Sequence, residues 1–418
     1  MLDKMHVIYL YADSETEWNC SRWRCHLLSN AINYQNQKNP EFFPHTAQML
    51  YMPTATDWHH PVVHEILGMA DILVYQRNVI APEVWASMDY WRALGKVVLV
   101  DIDDHYPNLP PSNPAHKFWI RNSYSMEPTP IELFKTGLEH ANGLIAPSKI
   151  ILKDWEKVVP GYYWPNYPSI EDYENLTMKP MGGNDLMFRY DKVEGGDPTL
   201  AWGVRPYSEG QVVIGWGGSI SHVDSFLYSG VLEALKRLMQ ENRNVVFKFC
   251  GSEGRLDHWL SELPEKQMIK QGSVAPQDWP KVISTFDIGI APLDMRVVEA
   301  KTGNEHGEYS YDERRSWLKA VEYLCAGVPF VATNSATYET MEPYGKLVEN
   351  GEENWYQALK ARVDSLQHFK TEAQKRRKWG MKKFTIENNT GRLIDFYRKV
   401  MIDAELRRGV RFPDVIYL

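Results

Sequence analysis

Short apolar runs bounded by turn residues alternate with amphipathic stretches along most of the chain. The runs that read as strands up to about residue 150 are HVIYLYA from His6, a weaker QMLYMP from Gln48, DILVYQR from Asp71, KVVLVDID from Lys96 and GLIAPS from Gly143. Between them lie the helical patterns SRWRCHLLSNAIN, HPVVHEILGMA, APEVWASMDYWRALG and PIELFKTGLEHAN, the last two stopping at Gly95 and Asn142. Val, Ile and Leu without polar alternation imply strands covered on both faces, and regular strand–helix alternation implies a parallel sheet. From about residue 160 to 210 the alternation fails and Pro, Gly, Tyr and acids gather. It resumes at Gln211 with QVVIGWGG, VVFKFCG, QMIKQGSV, DIGIAPL and VPFVAT, separated by helical segments, one of them around Ser316 to Cys325. The expected fold class is therefore α/β, with two Rossmann-like, doubly wound parallel-sheet domains facing across a cleft. The divisions are 1–165, a linker or insertion at 166–210, a second domain at 211–384, and a C-terminal helical segment at 385–418 packing back on the first domain.

A length of 418 residues exceeds what one core supports, and 44% hydrophobic with 24% charged residues excludes a disordered or fibrous chain. The net charge of −8 means that nucleic acid or an anionic membrane would need a local basic patch. No run approaches the ~18 apolar residues of a membrane span, and the N-terminus lacks a signal pattern, so a cytoplasmic protein without a transmembrane segment is expected. Composition says nothing of the oligomeric state. Cys20, Cys25, Cys250 and Cys325 form no CxxC pair, and Cys20, Cys25 and His26 match no common zinc spacing, so no metal site is expected.

Open parallel sheets bind ligands at the carboxyl ends of their strands, so chemistry should be sought there. In YDERRSWLKAVEYLCAGVPFVAT, helical spacing puts Arg315, Lys319 and Glu322 on one stripe and Trp317, Val321 and Leu324 on the opposite one. Cations beside the free amides of a helix start suit a diphosphate, and a carboxylate further along accepts sugar hydroxyls. The same spacing also fits an exposed charge network. In IGWGGSISHVDSF, Gly215, Gly217, Gly218, Ser219 and His222 follow a strand, letting backbone approach a phosphate or sugar, or simply making a tight turn. Ile220 breaks GxGxxG, which argues against a dinucleotide redox fingerprint. In VVLVDIDDHYPN, Asp101, Asp103, Asp104 and His105 cluster at a strand end, where they could orient hydroxyls, act as a base, hold a hard cation or cap a turn. Any of these carboxylates that is buried should have a raised pKa. Arg22 and Arg24 could reach an anionic substrate or pair with neighbouring acids. Lys375, Arg376, Arg377, Lys378, Lys382 and Lys383, interrupted by Trp379 and Phe384, suit nucleic acid, an anionic membrane or a solvated helix face.

The run IAPLD followed by RRSWLKAVEYLCAGVPFVAT resembles the donor-binding motif of GT-B glycosyltransferases, in particular the family-4-like group (glycosyl transferases group 1). IGWGGSISHVDSF, FCGSE, GSVAPQDWP, ADILVYQR and DIDDHY also fall where that architecture expects them, and the likeness is specific from about Ile214 to Thr333. It implies sugar transfer from a nucleotide-diphosphate donor, a UDP-sugar foremost, to a hydroxyl acceptor, without metal, with retention, and with no cofactor besides the donor. The resemblance places Glu322 on the ribose and Arg315, Ser316 and Lys319 on the diphosphate. Gly217, Gly218, Ser219 and His222 would meet phosphate and sugar, and the Gly251 and Val274 loops the base. Asp103, Asp104 and His105 would face the transferred sugar, forming the catalytic set with Lys319, while Arg22 and Arg24 lie on the acceptor side. The acceptor classes are a glycan or lipid-linked glycan and, for a virus-encoded enzyme in a host cytoplasm, a hydroxymethylated DNA base. The alternative is a non-catalytic nucleotide-sugar-binding protein. One departure stands out: the common pattern has an acid eight residues before Glu322, where this chain has Arg314, with Glu313 one residue off. The donor sugar and stereochemistry are therefore open.

Overall fold

The computed structural model describes residues 4–13, 20–121, 125–176, 210–218, 220–251, 256–302 and 305–411. Six strands form the first sheet: β1 (His6–Tyr11), β2 (Thr46–Tyr51), β3 (Ile72–Gln76), β4 (Val97–Asp101), β5 (Gly143–Ala146) and β6 (Gly161–Tyr163). They run parallel in the order β2-β1-β3-β4-β5-β6. The central strands β3 and β4 are buried at every position, as unalternating apolar runs require.

The second sheet comprises β7 (Val212–Gly218), β8 (Val245–Gly251), β9 (Met268–Gln271) and β10 (Ile288–Ala291). An antiparallel hairpin, β11 (Val298–Thr302) and β12 (Glu305–Tyr309), then leaves the sheet, which β13 (Phe330–Thr333) and β14 (Lys346–Val348) complete. Its order is β14-β13-β10-β7-β8-β9, again parallel. The strand order reverses between β7 and β10, so the carboxyl end of β7 opens onto a crevice that no crossover covers. The sequence runs predicted neither the short β6 and β14 nor the hairpin.

The two sheets share one apolar cluster. It passes from Val7, Tyr9 and Val74 under the first sheet, through Trp164, Tyr167 and Tyr173, to Tyr323 and Leu324 under the second. The C-terminal helix Ile386–Arg411 closes this cluster with Leu393, Tyr397 and Val400 and packs along the helix Leu27–Lys38 of the first domain. Tyr9 and Tyr397 join through their hydroxyls at 2.8 Å. Among the described residues no helix is long and apolar enough to cross a membrane.

Candidate functional site

A cleft of about 380 Å³ lies between the two domains at the carboxyl ends of their strands. From the first domain it is lined by Cys20, Trp23, Asp103 and Asp104, and from the second by the Gly217–Gly218 end of β7, Gly251, Val274 and the segment holding Arg315, Ser316, Lys319 and Glu322. Gly251 has φ +146, and a Cβ there would fall 2.0 Å from Gly218 O, so only glycine lets the ends of β7 and β8 come this close. Ser219 lies outside the described residues.

The helix Leu318–Ala326 carries Lys319 and Glu322 and ends at Gly327, a left-handed cap with φ +71. Arg315 precedes this helix in extended conformation, so the expected single helical stripe is replaced by two pieces. Its guanidinium is aimed by three partners: Nε donates to Asp312 Oδ1 at 2.7 Å, one terminal nitrogen donates to Ser221 O at 2.5 Å, and the other lies 3.5 Å from His222 Nε2. Burial works against its charge, but Tyr311, Asp312 and Asp104 more than offset this, and its pKa is raised. Lys319 donates to Gly217 O at 2.7 Å, and burial, with Arg315 adding to it, lowers its pKa although Glu322 opposes the shift.

Glu322 is buried rather than exposed, and Tyr173 donates to its Oε1 at 3.3 Å. Burial raises its pKa, held back by Lys319 and by hydrogen bonds from Trp279 and Tyr173. Two polar atoms lining the cleft have no hydrogen-bond partner among the described residues: Ser316 Oγ and His222 Nδ1. Burial first, then Arg315 and Lys319, keep His222 neutral by lowering its pKa. The segment thus offers two cations, a hydroxyl, an imidazole and a carboxylate to one bound molecule.

Across the cleft, Asp104 accepts from Tyr311 Oη at 2.8 Å, a contact between the domains. Asp103 has its pKa raised by burial and by the Asp104 charge, with a hydrogen bond from Cys20 opposing the shift. Asp103 can therefore hold or release a proton near neutrality.

Three residues expected at the site lie elsewhere. Arg24 is fully buried, donating through Nε and one terminal nitrogen to the two Asp101 oxygens at 2.7 and 2.9 Å and through the other to Trp164 O and Asn166 Oδ1. Arg22 pairs with Asp172 at 2.7 Å. Trp23, between them, is the residue that lines the cleft. His105 is buried beside it, its Nε2 3.3 Å from Asp154 Oδ2, and burial with the nearby Arg314 lowers its pKa to about 3.

Arg314, standing where the common pattern has an acid, turns away from the cleft. It donates twice to Asp154, at 2.6 and 2.9 Å, and once to Ser310 O at 2.8 Å, tying the second domain to the first. Ser112 makes a further tie, donating to Asp224 Oδ2 at 2.9 Å, and β11 of the hairpin lies against the turn Tyr106–Asn108. Sequence reasoning missed Tyr173, Tyr311, Asp154 and Trp279, because their roles come from contacts between distant segments that no local motif marks. Among the described residues no group of His, Cys, Asp and Glu could hold a metal ion.

No family model matches this sequence, and no curated protein matches it. Solved structures do match it in fold. HepE from Anabaena, solved in complex with UDP-glucose, is 12% identical, with 94% of this chain and 99% of that chain covered at a TM-score of 0.53. Sucrose-phosphate synthase from Thermosynechococcus elongatus is 11% identical, with 95% and 99% covered and a TM-score of 0.57. The O-GlcNAc transferase of Thermobaculum terrenum, as a point mutant, is 11% identical, with 96% and 68% covered and a TM-score of 0.51. The fold is GT-B: two Rossmann-like domains of parallel sheet with flanking helices.

Proposed function

We propose that this chain is a glycosyltransferase that moves a sugar from a nucleoside diphosphate to a hydroxyl acceptor. The observation that carries the reading is the meeting in one cleft of Arg315, Ser316, Lys319 and Glu322 with Asp103 and Asp104 from the opposite domain. Two fold neighbours, one solved as a UDP-glucose complex and the other an O-GlcNAc transferase, agree with this chemistry.

In this reading Arg315 and Lys319 hold the diphosphate with Ser316 Oγ, and Glu322 accepts the ribose hydroxyls. Gly218, Gly251 and Val274 border the base. Breaking the bond from sugar to phosphate puts negative charge on the departing diphosphate, and cations already aimed there stabilise that charge more than the ground state. This supplies the positive charge without a metal or further cofactor. Asp103, its pKa raised, orients the reacting hydroxyl or receives its proton. The ties between the domains keep water from the donor. A glycan is the acceptor class this reading takes.

Thermal unfolding with UDP-, GDP- and ADP-sugars tests it, since a ligand at 100 times its dissociation constant adds about 2.7 kcal/mol. A UDP-sugar should raise the midpoint, and the stabilising sugar should then be consumed with an acceptor glycan. Stabilisation without any turnover points instead to a binding protein, and no stabilisation by any of the three overturns the reading.

A further inference from the structure

The helix Leu366–Phe384 has two faces of different character. Its inner face packs on the helix Leu318–Ala326 through Ala373, Gly380 and Phe384, so close that a Cβ on Gly380 would fall 2.6 Å from Leu324 Cγ. Arg377 belongs to this inner side, where its Nε donates to Cys325 O at 3.1 Å.

The outer face is cationic. Lys375, Arg376, Lys378, Lys382 and Lys383 are all exposed, and at helical spacing they flank Trp379, itself 45% exposed. Glu372 pairs with Lys375 at 2.8 Å, but no described carboxylate pairs with Lys378, Lys382 or Lys383. Lys383 Nζ lies 4.7 Å from the centre of the Trp379 ring, and the Tyr344 ring lies tilted against that ring at 4.9 Å. In a chain of net charge −8, this face gathers five exposed cations around an exposed indole, with Glu372 paired to one of them.

We propose that this face docks the protein on an anionic lipid bilayer. Charge complementarity names an anionic partner, and an exposed indole set among cations on one helix face is the arrangement that lies in a headgroup layer. Lysines whose charge no acid neutralises are drawn to anionic headgroups, and an indole among them sits at the headgroup level. The face lies on the helix behind the one that lines the cleft, so docking leaves the cleft open.

The test uses the purified full chain and vesicles of phosphatidylcholine with or without phosphatidylglycerol, at low and high salt, by co-sedimentation. Binding should need phosphatidylglycerol and weaken with salt. Lys378→Glu, Lys382→Glu and Lys383→Glu together should weaken it at least ~100-fold, with the thermal midpoint unchanged because all three side chains are exposed. Trp379→Ala should weaken it ~10-fold with the salt dependence kept. Equal binding to neutral vesicles, no vesicle binding, or an unaffected triple variant overturns the proposal. So does tighter binding of duplex DNA at the same salt that the same three changes remove.

Discussion

Lys319 is the side chain on which the proposed chemistry leans most. Its ammonium is half-buried, held at Gly217 O, and next to Arg315 and Glu322. Lys319→Ala should lower turnover at least ~100-fold, the size of one transition-state charge contact, measured as kcat in a donor-release assay; near-normal turnover sinks the assignment. His105 offers a test of a different kind. It is neutral in the folded chain down to about pH 3, while the unfolded chain protonates it at 6.5. Above that value the contribution is complete; as pH falls towards 3 the unfolded state takes up a proton that the folded state refuses, and stability is lost. Asp103, with its raised pKa, acts in the opposite direction. The unfolding midpoint of His105→Gln should therefore fall less steeply with acid than that of the parent chain, and parallel curves would remove His105 from the account. Single residues were also where the sequence was hardest to read. SRWRC presents Arg24 as a reaching cation, and only the fold, by bringing Asp101 and Asn166 around it, makes it a core residue.

Elements were legible in proportion to their apolar content. β1, β3, β4, β7, β8 and β10 stand out as runs of Val, Ile and Leu, and the helix after Arg315 is marked by its stripe and its Gly327 stop. β6 and β14 have three residues each, too few for a pattern, and of the hairpin VEAKT alternates over only two apolar residues while EHGEY does not alternate at all. Yet the segment after β10 is what joins the domains, through β11 against Tyr106–Asn108 and through Arg314 on Asp154. Both side chains of that pair are largely buried, at 7% and 16% exposure, so removing one takes the opposite charge away from the other in a site that water reaches poorly. Arg314→Met and Asp154→Asn should each cost about 3–5 kcal/mol, and the double variant less than their sum. Additive costs in denaturant unfolding would mean that the pair does not act as a unit.

For the whole molecule, the paired parallel sheets followed from the alternation of runs, whereas their mutual packing did not. One apolar cluster continues through Trp164, Tyr167 and Tyr173 from the first sheet to the second, with Tyr397 from the last helix fully buried in it. Calorimetry should accordingly show one unfolding transition rather than two, and Tyr397→Ala should lower its midpoint without splitting it; two resolved peaks would contradict the shared core. Arg314 also limits what can stand at its own position. Replacing Arg314 with Glu alone sets two carboxylates face to face at Asp154, so the change is tolerated only after Asp154 has lost its charge. The two positions are therefore coupled, and an acid at 314 calls for a residue without negative charge at 154.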